Sequence, residues 1–196
     1  MTETQLDPIR PTAVDAGGGG DAAGVTGAAG PSRTRTYSWS DPQQSASQII
    51  GRSGVDAFAG MDSGEIPIPP IMATLDVERV TVVGEGQVTV HMRTQEFHYN
   101  PIGSVHGGVI SALLDTAAGC AVHTTLPAGM AYTSLDLNVR FLKPVTIASG
   151  MLRCDGTVIS RGRQTALAEA RLHDEAGRLV AHATSTCLIF PIPASR

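Results

Sequence analysis

The sequence predicts an α+β fold in which an antiparallel sheet of five or six strands wraps around one long central helix. Three observations lead to this prediction. Residues 107 to about 125 form a nearly all-apolar helical stretch, which Pro127 and Gly129 end. Segments of alternating hydrophobicity, typical of half-buried strands, lie on both sides of it along the chain. Because a helix that is apolar all round must be enclosed, a single curved sheet is the most economical partner.

The chain before the sheet divides into two parts by composition. Residues 1–45 are expected to be a disordered tail, because a segment rich in Gly, Ala, Ser and Pro cannot offset its ordering entropy by burial. One folded domain is expected over residues 46–196. Residues 43–61 predict a short helix. The prolines that follow predict an extended connection: Pro67, Pro69 and Pro70.

The strands are expected in two groups, one before and one after the long helix. Residues 72–83 and 87–94 predict a hairpin around Gly84-Glu85-Gly86. After the helix, residues 131–142 alternate cleanly and predict one strand. Three more strands are predicted at 150–160, 163–173 and 178–190, with a turn between the last two.

Composition excludes several classes of function. The 196 residues carry a net charge of −4, which argues against a nucleic-acid surface. The cysteines form no C-x-x-C pair, so we expect them to be reduced: Cys120, Cys154 and Cys187. With neither a membrane-spanning run nor a signal pattern in the sequence, we expect a cytoplasmic protein. The spacing of five histidines fixes no metal site, and we expect none: His91, His98, His123, His173 and His182.

The start of the long helix is the most informative part of the chain. Gly107 and Gly108 follow His106, and glycines leave backbone N–H groups unshielded at the positive end of a helix. Asp115 lies about two turns into the apolar stretch, where an ionised side chain costs several kcal/mol unless it is needed. An electrophilic helix end together with a buried acid indicates chemistry on a carbonyl group.

The order of these motifs resembles the hotdog-fold acyl-CoA thioesterases, most closely their PaaI-like branch. The resemblance covers about residues 65–190. It depends on four segments read together: His98–Pro101, His106–Gly108, Asp115–Gly119 and Thr133–Pro144. It implies hydrolysis of an acyl-CoA thioester to the free acid and CoA, without a cofactor, since CoA is part of the substrate.

The resemblance also implies the roles of individual residues. Asp115 would activate water or attack the carbonyl carbon, and the amide of Gly107 would polarise the thioester oxygen. Asn100 would orient the carbonyl or the water, and Ser134 would assist the water. The residues themselves leave other interpretations open. Asp115 could be a buried structural acid capped by Ser or Thr hydroxyls, Asn100 before a proline is typical of a turn, and Ser134 is suited to pairing across the sheet.

Four further residues are candidates for substrate binding or proton transfer. His106 is either a base or a residue that holds the loop by hydrogen bonds. Gly108 would let the acyl group approach the backbone. Arg161 and Arg163 would either clamp the CoA phosphates or form a solvated hairpin turn.

Distance along the helix predicts the oligomer. Gly107 and Asp115 are eight residues apart, which is about 12 Å of helix, too far to act on one carbonyl. We therefore expect a homodimer, or a dimer of dimers, whose two sites each combine Gly107 of one chain with Asp115 of the other.

Two other enzyme classes have motifs that this sequence does not contain. The sequence lacks the G-x-S-x-G motif of serine hydrolases and the H-F-P-x-x-P motif of hotdog dehydratases. A non-catalytic acyl-CoA-binding hotdog protein remains the alternative. The aliphatic composition favours a medium or long fatty acyl group over an aromatic one.

Overall fold

A computed structural model describes residues 32–192 of the protein. Most of the predicted tail, up to residue 31 and including its run of four glycines, lies outside the described residues. The helices and strands of these described residues belong to one compact unit, Thr36–Arg196.

Three short helices precede the sheet: α1 (Pro42–Ile49), α2 (Gly54–Asp62) and α3 (Pro70–Leu75). The side chain of Asp41 caps α1 and that of Ser53 caps α2, each accepting a hydrogen bond from a backbone N–H of the first turn. The single helix predicted over residues 43–61 is therefore two helices. The first begins at Pro42, a few residues before the predicted end of the tail at residue 45.

The region after the prolines differs from the prediction. Pro70 starts α3 instead of extending the connection, because a proline at the first helical position loses no hydrogen bond. Asp76 then ends α3 in the left-handed conformation, at φ 58°. As a result the strand predicted over residues 72–83 begins only at Val77.

The sheet is antiparallel and its strand order is β1-β2-β5-β6-β7-β3, with β4 also paired to β7. Its strands are β1 (Val77–Gly84), β2 (Gln87–Arg93), β3 (Met130–Ser134), β4 (Asn138–Phe141), β5 (Met151–Arg161), β6 (Thr165–His173) and β7 (Leu179–Pro191).

The sheet has seven strands where five or six were expected, because the segment 131–142 is interrupted at Leu135–Leu137. Hydrogen bonds hold the interruption against β7. The backbone N–H of Leu135 donates to the carbonyl of Thr186, and the carboxylate of Asp136 accepts the N–H of Thr186. The two halves thus pair with the same neighbour, and the general prediction of a curved sheet is confirmed.

The long helix α4 (Gly107–Thr124) packs against the sheet from one end to the other. Its apolar residues are almost completely inaccessible, as the absence of a polar face predicted: Ile110, Leu113, Leu114, Ala117, Ala118, Ala121 and Val122. A 3₁₀ turn (Glu96–His98) and a loop lead into α4, and a second 3₁₀ turn (Ile147–Ser149) precedes β5.

Gly156 shows how closely α4 approaches the sheet. A Cβ atom at this position of β5 would lie 2.1 Å from the carbonyl oxygen of Ala117.

Because that contact is with backbone, Gly156→Ala is expected to lower the free energy of unfolding by about 1–3 kcal/mol. Urea unfolding measures the change. Gly84→Ala is the matched control, since its Cβ would meet nothing within 4 Å; equal stability of the two variants would contradict this packing.

Candidate active site

Asp115 lies half-buried on the middle of α4, facing β3. The hydroxyl of Ser134 donates a hydrogen bond to Asp115 Oδ1 at 3.0 Å. No hydrogen bond to Oδ2 is formed within residues 32–192. The structure therefore brings together two of the residues predicted for catalysis, and Ser134 orients the carboxylate instead of pairing only across the sheet.

The first turn of α4 separates the roles of its two glycines. Nδ1 of His106 accepts the backbone N–H of Gly108 at 2.8 Å, so His106 is the helix N-cap and the Gly108 amide is engaged. In the described part of the chain the Gly107 amide donates to no protein acceptor. A cavity of about 340 Å³ lies beside it, lined in part by Phe141 and Ile110. Gly107 thus offers the available amide, and His106 has the structural role that the sequence left open.

The loop before α4 is organised by Asn100. Its side-chain oxygen accepts the backbone N–H groups of Ile102 and Ser104, both at 3.1 Å, and its amide nitrogen donates to the Ser104 hydroxyl at 3.0 Å. These bonds form an Asx-type turn. These contacts agree with the interpretation of Asn100 as a turn residue, since its carboxamide forms hydrogen bonds within its own loop.

Arg161 and Arg163 lie at the β5–β6 turn, where both side chains are exposed. Strand register places Arg161 in the same row of the sheet as Ser134, through Ala166 and Cys187. Three strand spacings separate them, which is about 14 Å. Ala166 and Cys187, which lie between them in this row, are almost inaccessible.

Two cysteine thiols near Asp115 are unsuited to act as nucleophiles. Burial, reinforced by the charge of Asp115, raises the pKa of Cys120 to about 12. Burial also raises the pKa of Cys187. Since the thiolate is the reactive form of cysteine, a raised pKa makes both thiols poor nucleophiles at neutral pH.

A stripe of helix positions that the sequence interpretation missed extends from Asp115. Gly119 and His123 follow at intervals of four residues, on the same face of α4. Tyr132 of β3 fills the space over Gly119, where a Cβ would lie 2.5 Å from the phenolic oxygen. Burial lowers the pKa of His123 and raises that of Tyr132, so both are neutral at pH 7. The i, i+4, i+8 spacing of these three residues is the sequence feature that could have predicted the stripe.

The stripe ends at an apolar cavity of about 370 Å³. Cys120, His123 and Tyr132 form one side of it, and residues of α1, α2, α3, β1 and the connection between α2 and α3 form the rest. The sequence pattern does not predict this cavity, because its opposite wall comes from α1, α2 and α3, whose bounds differ from the predicted ones.

Comparison with known proteins identifies a family model, the thioesterase superfamily, that matches residues 102–181. A Halobacterium salinarum protein named as an esterase is 42% identical over 69 residues, covering 34% of this chain and 44% of its own length. This chain therefore spans less than half of that relative. Human acyl-coenzyme A thioesterase 13 is 28% identical over 111 residues, which cover 55% of this chain and 78% of the human protein.

Solved structures agree with this comparison. The phenylacetic acid degradation-related protein of Ralstonia eutropha is 33% identical, with a TM-score of 0.62, and the match covers 67% of this chain and 98% of that protein. The Escherichia coli PaaI protein has a TM-score of 0.61 at 20% identity, over 74% of this chain and 98% of PaaI, and shows the fold alone. The resemblance read from the sequence is confirmed. Between residues 32 and 192, none of the helices has the length and hydropathy needed to span a membrane.

Proposed function

Because this chain belongs to the thioesterase superfamily, we propose that it hydrolyses acyl-CoA thioesters to a free carboxylic acid and CoA. The observation that carries the proposal is the half-buried carboxylate of Asp115, held by the Ser134 hydroxyl at 3.0 Å on a helix whose first amide is available. The human relative named as an acyl-CoA thioesterase supports the choice of substrate.

In the proposed reaction, Asp115 takes a proton from water as the water oxygen bonds to the thioester carbon. Negative charge then grows on the carbonyl oxygen, which the backbone N–H of Gly107 stabilises by about 3 kcal/mol. Collapse of the intermediate breaks the C–S bond, and the proton passes to the CoA sulfur. Direct attack by Asp115 through an anhydride is the alternative route to the same products. Neither route uses a cofactor.

We propose that two chains form each site. The eight residues of α4 between Gly107 and Asp115 span about 12 Å, so one chain cannot bring both groups to one carbonyl. The edge formed by β3 and β4 supports a second copy as the partner. It carries exposed apolar side chains at Leu135, Phe141 and Leu142, and such an edge is a template for pairing with another chain. A dimer, or a dimer of dimers, satisfies this requirement.

Arg161 and Arg163 are proposed to bind the CoA phosphates, which suits the planar fork of the guanidinium group. Their exposure and the row that Arg161 shares with Ser134 support this role. Gly108 and Asn100 are proposed to shape the substrate entrance, since both maintain the first turn of α4 and its preceding loop. The three free cysteines fit a reducing compartment, and we propose the cytoplasm.

A thiol-release assay on a series of acyl-CoAs tests the proposed activity. Release of CoA thiol and free acid in equal amounts is the expected result. Tight binding of acyl-CoA without release would instead indicate the non-catalytic acyl-CoA-binding protein, and neither binding nor release would exclude acyl-CoA as the ligand.

The role of Ser134 gives a more specific prediction. Ser134→Ala removes the hydrogen bond to Asp115 Oδ1 and is expected to lower kcat by about 10- to 100-fold, since a hydrogen bond to a charged group contributes about 1.5–3 kcal/mol. Ser134→Thr keeps the hydroxyl and is expected to retain most of the activity. Steady-state kinetics with one acyl-CoA compares the two variants, and equal losses would show that the hydroxyl itself is not needed.

A further inference from the structure

The segment Pro42–Leu75 lies before the region that the family model matches, which begins at residue 102. It is nonetheless fixed to the rest of the domain. The N–H of Gly54 donates to the carbonyl of Leu126 at 2.9 Å, and the N–H of Gly129 donates to the carbonyl of Ile50 at 3.3 Å. Arg52 and Glu65 form an ion pair within the segment. The three short helices are therefore an ordered part of the domain, attached to it by backbone hydrogen bonds.

These helices complete the 370 Å³ cavity beside α4. Their contribution to the wall is mainly apolar: Ile49, Phe58, Met61 and Met72. Ile68 and Pro69, in the connection between α2 and α3, add to it. The charged residues around the cavity, Asp62, Glu78 and Arg79, are exposed and so belong to its rim. An apolar interior of this volume with a polar rim is typical of a site for a small apolar ligand group.

The cavity lies farther along the face of α4 that carries the acid. Asp115, Gly119 and His123 lie on one stripe, and His123 is part of the cavity wall. The distance from Asp115 to His123 along the helix is about 12 Å, and a chain that extends from Asp115 to the cavity must pass the Tyr132 ring that covers Gly119. Cys120 and Tyr132 also form the wall, and the negative charge of Asp115 adds to the rise in the pKa of both side chains.

We propose that this cavity takes the hydrocarbon tail of a fatty acyl group and that helices α1–α3 set the longest tail it accepts. This inference rests on the proposed thioesterase function, because it places the carbonyl group at Asp115 of the same chain. Met72 is the most informative wall residue: it is half-buried and comes from α3, across the cavity from α4.

Met72→Trp, which fills the cavity, tests the proposal in the full-length protein. For dodecanoyl-CoA we expect KM to rise about fourfold for each methylene that the indole displaces, whereas KM for butanoyl-CoA stays unchanged. Ile71→Trp is the matched control, because Ile71 precedes Met72 on α3 but is 48% exposed and lies outside the cavity wall. An equal effect of Met72→Trp on both substrates, or the same length dependence in Ile71→Trp, would overturn the proposal.

A binding measurement separates this proposal from the proposed function. S-dodecyl-CoA and S-butyl-CoA are thioethers that resist hydrolysis, and calorimetry gives their Kd for each variant. Loss of binding confined to S-dodecyl-CoA in Met72→Trp supports the cavity as the tail site even if no acyl-CoA is hydrolysed. Hydrolysis with an unaltered length profile and unaltered binding would reject the cavity and leave the activity intact.

A second variant covers the case in which Met72→Trp does not fold. Met72→Ala enlarges the cavity and is expected to shift the preferred chain length upward, with a lower KM for hexadecanoyl-CoA than in the wild type. Thermal unfolding checks that each variant is folded before kinetics are compared. No shift in preferred length for a folded Met72→Ala would overturn the proposal.

Discussion

Asp115→Asn is expected to lower kcat for acyl-CoA hydrolysis by about 10²–10⁴-fold while substrate binding is largely retained. Asparagine keeps the size of the side chain and can still bond to the Ser134 hydroxyl, but it cannot take a proton from water or form an anhydride. Single-turnover thiol release separates this loss from a change in product release.

The matched control for Asp115→Asn is Glu85→Gln. Glu85 is an exposed carboxylate in the β1–β2 turn, so its replacement makes the same change in net charge away from the site. Full activity in Glu85→Gln and a large loss in Asp115→Asn are expected together. If Asp115→Asn turned over at the wild-type rate, the catalytic role of this residue would be abandoned.

Two inactive variants are expected to restore activity when they are combined in one oligomer. Gly107→Val places a side chain against Phe141, whose ring carbon lies 3.2 Å from a Cβ at this position, and so disturbs the amide that polarises the substrate. We expect Gly107→Val to lower kcat by about 10²–10³-fold. In a mixed dimer with Asp115→Asn, one site receives both altered residues and the other receives neither.

The recovered activity has a predictable size. When equal amounts of the two variants are unfolded together and refolded, half of the dimers are mixed and each has one intact site, so about one quarter of the wild-type activity should return. The control is refolding of each variant alone, which should recover none. Absence of recovery in the mixture, with mixed dimers demonstrated by mass spectrometry, would mean that each chain supplies both groups to its own site.

The position of α4 was predictable from the sequence because its run of residues is long and almost entirely apolar. An apolar stretch of this length, opened by two glycines and closed by Pro127 and Gly129, has few alternative structures. The pairing of Asp115 with Ser134 was only partly predictable. Sequence indicated both residues through a family resemblance, but their 3.0 Å hydrogen bond depends on the packing of α4 against β3.

The remaining differences have local physical causes. Helix α3 escaped prediction because Pro70 reads equally as an extended residue and as the first residue of a helix, and Asp76 ends the helix in a conformation that is uncommon for a non-glycine residue. The interruption at Leu135–Leu137 preserves the alternating pattern, so periodicity alone could not reveal it. The role of His106 as an N-cap was decided by a single 2.8 Å contact.

The attachment of the first three helices has a consequence for how this protein can change. Gly54 packs directly against the last turn of α4, where even one added carbon would lie 1.7 Å from the His123 carbonyl oxygen. That junction fixes the whole Pro42–Leu75 module, while the acid and its serine belong to other elements. Substitutions in this segment can therefore change the wall of the cavity while Asp115 and Ser134 keep their places, provided that Gly54 is kept.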